Sequence, residues 1–157
     1  MSVDFSKFDS MVNQEQLKAD MDKAPQNDEV PAGRYIVSIE TMEVKPTKAG
    51  DKLLFAVGCK IKETVDAPKK QDNRWVFFNR TICGNKNTEK WNDGRAIKGV
   101  LTWLEELTGE EVEFTSYAKL ADDVTDLYQD ICRNIEVSVD YDSDAFNPIA
   151  IVEVFDI

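Results

Sequence analysis

The 157-residue chain has the length of one domain with an appended arm, and its 42% hydrophobic content, with eight Phe, four Tyr and three Trp, suffices for a buried core. It carries 19 basic against 30 acidic residues, a formal charge of −11, and no histidine, which excludes Ser-His and Cys-His nucleophiles, histidine-ligated zinc and imidazole acid–base chemistry. Cys59, Cys83 and Cys132 make no C-x-x-C pair and are odd in number, so three buried thiols are expected rather than a zinc ribbon or a disulfide framework.

The predicted elements begin with a short amphipathic arm. Ser10 is a plausible N-cap, Met11, Val12, Leu17 and Met21 recur at helical spacing up to Ala24, and Pro25 stops the helix. Residues 1–32 thus form a helical arm and linker, and residues 33–157 form the domain. Strand one covers Arg34 to Lys45. Its apolar parity switches from Tyr35, Val37 and Ile39 to Met42 and Val44, which predicts a β-bulge. After a turn at 46–51, strand two sets Leu53, Phe55, Val57, Cys59 and Ile61 against Leu54, Ala56, Gly58, Lys60 and Lys62: one apolar face, the other small and then basic. Gly58 permits a bend or a close approach. A basic loop, 63–73, precedes strand three, Arg74 to Cys83.

A helical insert at about 93–132 follows. Asp93 caps a helix through Leu107 with Gly109 beyond its end, and Ser116 opens a second helix to Cys132. Strand four is Ile135 to Tyr141 and strand five Ile149 to Phe155. Three strands, a helical insert and two strands is the order of an OB-type five-stranded barrel, a mainly β, α+β architecture. No apolar run reaches membrane-helix length and Met1 to Ser10 has no signal-peptide pattern, so a soluble, cytoplasmic protein with no membrane partner is expected.

Charge is segregated along the chain. Residues 1–32 sum to −4, residues 33–104 to +6 and residues 105–157 to −13. Within the basic third, Lys45, Lys48, Lys52, Lys60, Lys62, Lys69, Lys70, Arg74, Arg80, Lys86 and Lys90 interleave with Trp75, Phe77, Phe78 and Trp91. Single-stranded nucleic acid is bound by this combination, in which cations follow phosphates and flat rings stack on bases. One parity of strand three must be core. An arginine is costly to bury unpaired, which favours Phe78, Arg80 and Ile82 as the outward set. Asn79 argues for the Trp75 and Phe77 parity instead, and both assignments stand at this point.

Other constellations carry less. Asp140-Tyr141-Asp142-Ser143-Asp144 opens like a calcium loop, but Ala145 replaces the required Gly and Ile151 the terminal Glu, so an acidic hairpin is expected. Glu105, Glu106, Glu110, Glu111 and Glu113 could imitate a nuclease cluster, yet nothing supplies its geometry. Neither nucleotide-binding glycine motif is present. No catalytic residue, metal or cofactor is expected, and the protein reads as a non-enzyme.

Several segments look familiar together: Asp4-Phe5-Ser6-Lys7-Phe8-Asp9, Glu29-Val30-Pro31-Ala32-Gly33-Arg34-Tyr35, Thr47-Lys48-Ala49-Gly50-Asp51, Phe77-Phe78-Asn79-Arg80 and Val112-Glu113-Phe114-Thr115-Ser116-Tyr117. The chain resembles, over nearly its whole length, a bacteriophage family long described as a domain of unknown function in replication and recombination gene clusters. The resemblance implies an OB-type single-stranded-DNA-binding protein acting in the host cytoplasm. Bacterial proteins of that function have a flexible acidic C-terminal tail, whereas this chain ends Val154-Phe155-Asp156-Ile157. The acidic 105–130 region would then recruit phage or host replication and recombination proteins. Lys45, Lys48, Lys52, Lys60, Lys62, Arg74, Arg80 and Lys86 are the expected phosphate contacts, and Trp75, Phe77, Phe78 and Trp91 the stacking candidates. The amphipathic arm can pack on its own domain or on a neighbour, so self-association is open. The rival reading is an acidic interaction protein, a DNA mimic or an inhibitor of a host nuclease.

Overall fold

Strict alternation in β4 (Ile135–Tyr141) and the parity-switched run of β1 (Gly33–Pro46) place these two strands side by side, antiparallel, at the middle of the sheet. The computed structural model describes residues 6–23 and 29–157. Before the sheet come α1 (Ser6–Asp9) and α2 (Gln14–Lys23). The remaining elements are β2 (Leu53–Asp66), β3 (Trp75–Cys83), α3 (Asp93–Thr108), α4 (Tyr117–Ile131) and β5 (Ile149–Asp156). The five strands form one antiparallel sheet in the order β3-β2-β1-β4-β5.

The bulge expected in β1 falls at Glu40: pairing passes from Ile39↔Cys59 to Thr41↔Gly58 and leaves Glu40 unmatched. That extra residue turns Met42 into the face already occupied by Tyr35, Val37 and Ile39, and all four are buried. The Glu40 carbonyl, released from the ladder, accepts a hydrogen bond from the Tyr128 hydroxyl of α4. This helix lies along β1 with Leu120, Val124, Leu127 and Ile131 buried beneath it.

The sheet does not close into a barrel. Its two edges, β3 and β5, are bridged by α3, which contacts both. Trp103 of α3 stands between them: its ring stacks on Phe78 of β3, with centroids 5.5 Å apart, and its indole N–H donates to the Ile149 carbonyl of β5 at 2.9 Å. A side chain of that size stands between the edges where a fifth ladder would otherwise run.

Cap geometry corrects two sequence expectations. Asn92, rather than Asp93, caps α3, its side chain accepting from Arg95 N at 3.0 Å. Asp93 instead holds the loop before the helix, accepting from Asn85 N at 2.9 Å and Asn85 Nδ2 at 2.8 Å. Gly109 ends α3 with φ of 73°, and Ser116 caps α4, both as the sequence indicated. In the arm, Ser10 is not the cap: its hydroxyl donates back to Lys7 O, and Asn13 caps α2 through bonds from Glu15 N and Gln16 N. Met11, Val12, Leu17 and Met21 are exposed. The predicted stop at Pro25 lies outside the described residues.

All three cysteines are free, but only Cys59 is fully buried; Cys83 and Cys132 are half-buried, which corrects the expectation of three core thiols. Burial pushes the Cys59 thiol up to about 12, helped by the Glu40 carboxylate. Among the described residues, no helix is long and apolar enough to cross a membrane.

Candidate nucleic-acid interface

α3 and α4 cover one face of the sheet, so the residues of opposite parity form its outer face. Cross-strand pairing assigns them rung by rung: Trp75 opposite Lys60, Phe77 opposite Gly58, Asn79 opposite Ala56 and Thr81 opposite Leu54, with Lys45 of β1 across from Leu54. The rungs from Trp75 to Thr81 extend roughly 20 Å at the usual rise per strand residue.

The open question of parity in β3 is decided here. Trp75 and Phe77 are the outward rings, 43% and 56% exposed, while Val76, Phe78, Arg80 and Ile82 are buried. The expectation that Phe78, Arg80 and Ile82 face out is therefore corrected. Phe78 sits in the core, edge-on to Phe55 and stacked on Trp103. Arg80 avoids the penalty of an unpaired buried charge by other means. Its Nη2 donates to the Phe146 carbonyl at 2.5 Å and to Asn147 Oδ1 at 3.1 Å, both in the β4–β5 hairpin. Its guanidinium carbon lies 4.3 Å from the Phe146 ring centroid, 5.2 Å from Trp91 and 5.3 Å from Phe78. Desolvation lowers its pKa from the ordinary arginine value.

Trp75 and Phe77 lie two residues apart on one strand face and pack as near-parallel neighbours, their centroids 6.1 Å apart with 18° between planes. The surface under them is Gly58. A Cβ there would meet Thr41 Oγ1 at 2.5 Å, Trp75 Cζ3 at 3.3 Å and Phe77 Cε1 at 3.5 Å, so the missing side chain lets both rings settle on the backbone of β2. This is the close approach that the sequence allowed at Gly58.

The expected cations divide into groups. Lys60 is half-buried directly across from Trp75, and Lys62 is exposed one turn of the ladder further on. Lys45, Lys48 and Lys52 are exposed around the β1–β2 turn at the far end of the same face, with Lys45 3.5 Å from Glu43. Lys86 is exposed in the β3–α3 loop. Arg74 is not part of this face: its Nη1 donates to Gln71 Oε1 at 2.6 Å, and its backbone pairs with Ile61, on the core-side parity. Lys70 is 3.6 Å from Asp72 in the neighbouring loop.

Trp91 is also displaced from the expected site. It is half-buried on the α3 side, edge-on to Phe146 at 5.0 Å, with its indole N–H donating to Asn85 Oδ1. Local sequence gave no sign of Phe146 as its partner, although a large apolar residue in an otherwise polar hairpin, Asp-Ser-Asp-Ala-Phe-Asn-Pro, is itself a signal of contact.

On the outer face Glu136, Asp140 and Glu153 lie on β4 and β5, away from the rings, while Glu43 of β1 stands across from Ala56 and pairs with Lys45. Most of the acidic 105–130 segment lies on α3 and α4, behind the sheet. The surface can therefore attract a polyanion to the β2–β3 side and repel it elsewhere. Comparison of the chain with protein-family models, with curated proteins and with solved structures gives no match.

Proposed function

We propose that the protein binds single-stranded DNA across the outer face of β2 and β3. The observation that carries this reading is the exposed, near-parallel pair Trp75 and Phe77, seated on Gly58 beside Lys60. Bases would stack on the rings, and Lys60, Lys62, Lys45, Lys48 and Lys52 would neutralise phosphates along the track. A pair of exposed aromatic residues, with a cation across from one of them, is costly to keep in water.

We read the sheet as an OB-type barrel opened at one seam. Its order, β3-β2-β1-β4-β5, is the order that a β3–β5 pairing would close, and Trp103 and Arg80 bridge that seam in place of backbone bonds. The phage replication and recombination setting, the host cytoplasm and recruitment of partners through the acidic 105–130 face belong to the same proposal, on the resemblance of the sequence motifs. The protein would act by binding alone, without catalysis.

The test is fluorescence anisotropy of labelled oligo-dT at low salt. The unaltered protein should bind, and binding should weaken linearly in log–log form as salt rises, by about 0.7 per phosphate neutralised. Phe77→Ala and Trp75→Ala should each weaken binding by roughly 5- to 150-fold, the equivalent of about 1–3 kcal/mol per lost stack. Absence of oligonucleotide binding, coupled with capture of a basic host protein, would favour the DNA-mimic reading instead.

A further inference from the structure

On the other side of β3 a second concavity of about 570 Å³ opens between α3 and the β4–β5 hairpin. Its apolar walls are Trp91, Trp103 and Phe146, and Lys90, Arg95 and Lys98 stand around them, against the single carboxylate of Glu106. Among the described residues none of these three cations forms an ion pair with a carboxylate. Arg80 lies beneath the wall formed by Phe146 and Asn147 and likewise has neutral oxygens as its hydrogen-bond partners. α3 presents Gly99 at this point, and a Cβ there would sit 3.9 Å from Arg80 Nη1.

We propose that this concavity is a second nucleotide subsite for the same DNA strand, taking one phosphate between Arg95 and Lys98 and the attached base against Phe146. The inference rests on the single-stranded-DNA reading. Two features favour a strand over an acidic peptide. Flat rings beside uncompensated cations match a base and its phosphate, and the subsite adjoins the strand that carries the first ring pair. Phe77 and Arg80 are three residues apart on β3, roughly 10 Å, with their side chains on opposite faces of one edge strand. A single strand leaving the Trp75–Phe77 platform has to round β3, beside the seam that α3 spans, to reach the second set of groups.

The experiment compares labelled dT4 with dT16 in the intact chain, in Arg95→Gln/Lys98→Gln and in Phe146→Ala. The charge variant should keep dT4 affinity within about twofold, lose at least tenfold for dT16, and flatten the dT16 salt slope by about 0.7, the contribution of the one phosphate that the pair holds. Phe146→Ala should weaken dT16 with the slope unchanged. Unaltered dT16 affinity and slope in the charge variant would overturn the subsite while leaving the platform reading intact. Failure of the intact chain to bind either oligonucleotide would sink both. Loss of binding to an acidic peptide with a terminal Phe, with dT16 unaffected, would reassign the concavity to a protein partner. Arg95 and Lys98 are exposed, so their replacement does not threaten the fold.

Discussion

Arg80 was expected to meet phosphate and is instead a fastener between β3 and the β4–β5 hairpin, and paired substitutions separate the two roles. Its favourable contacts are two hydrogen bonds from a charged donor, about 1.5–3 kcal/mol each, and three ring contacts at about 0.5–2 kcal/mol each. Against them stands desolvation of a guanidinium with no carboxylate beside it, several kcal/mol. The two sides oppose each other, so Arg80→Met, which keeps an apolar stem under the rings, should cost clearly less stability than Arg80→Ala. Arg80→Ala is different. It removes two methylenes of stem at about 0.8 kcal/mol each and leaves a cavity under Phe78, Trp91 and Phe146, for a total near 3 kcal/mol. Urea denaturation measures both variants directly. At about 2–4 °C per kcal/mol for a chain of this size, the alanine variant should also melt roughly 6–12 °C lower. Affinity for dT4 should be unchanged in Arg80→Met. The reasoning fails if methionine costs as much as alanine, because the charge and not the packing would then be the fastener; it fails equally if both variants are stable and both lose dT4.

Gly58→Ala sets a new Cβ 2.5 Å from Thr41 Oγ1, and it should cost about 1 kcal/mol despite the better strand propensity of alanine; combination with Thr41→Ala should recover most of that loss in denaturant melts. Gly58→Val should lift the ring pair and weaken oligo-dT as much as Phe77→Ala, with little change in salt slope. Asp72 is held below the usual carboxylate range by hydrogen bonds from Thr64, and Asp140 by its bond to Arg34. Because the folded pKa values are depressed, the unfolded chain takes up protons first. This contribution is whole above about pH 4 and is lost as pH falls through the folded values. Urea melts from pH 6 to 3 should show that decline, and Asp72→Asn with Arg34→Gln should flatten it.

Much of this architecture was readable from local pattern. The parity switch in β1 located a bulge because one extra residue must move every later side chain to the other face, and Ile135–Tyr141 alternates without interruption. The α3 cap was displaced by one residue, since Asn92 and Asp93 are both good cap residues and only the loop geometry chooses between them. Closure of the sheet was not readable. It depends on Trp103, whose spacing marks it only as a residue of an amphipathic helix, and on what stands between two edge strands far apart in sequence.

The orientation of β3 shows why the site was only half legible. Bulky residues occupy both parities, so alternation is silent, and the decision passed to the cost of burying Arg80. That cost is real but is met by a carbonyl, an amide oxygen and an aromatic ring contributed 66 and 67 residues later, which no local rule can see. Once Arg80 is placed inside, alternation alone forces Trp75 and Phe77 outward and Lys60 onto their rung. The burial of one cation and the exposure of the two rings are therefore a single structural fact. A sequence change that removed the β4–β5 hairpin contacts would be expected to perturb the platform on the opposite face through the edge strand they share.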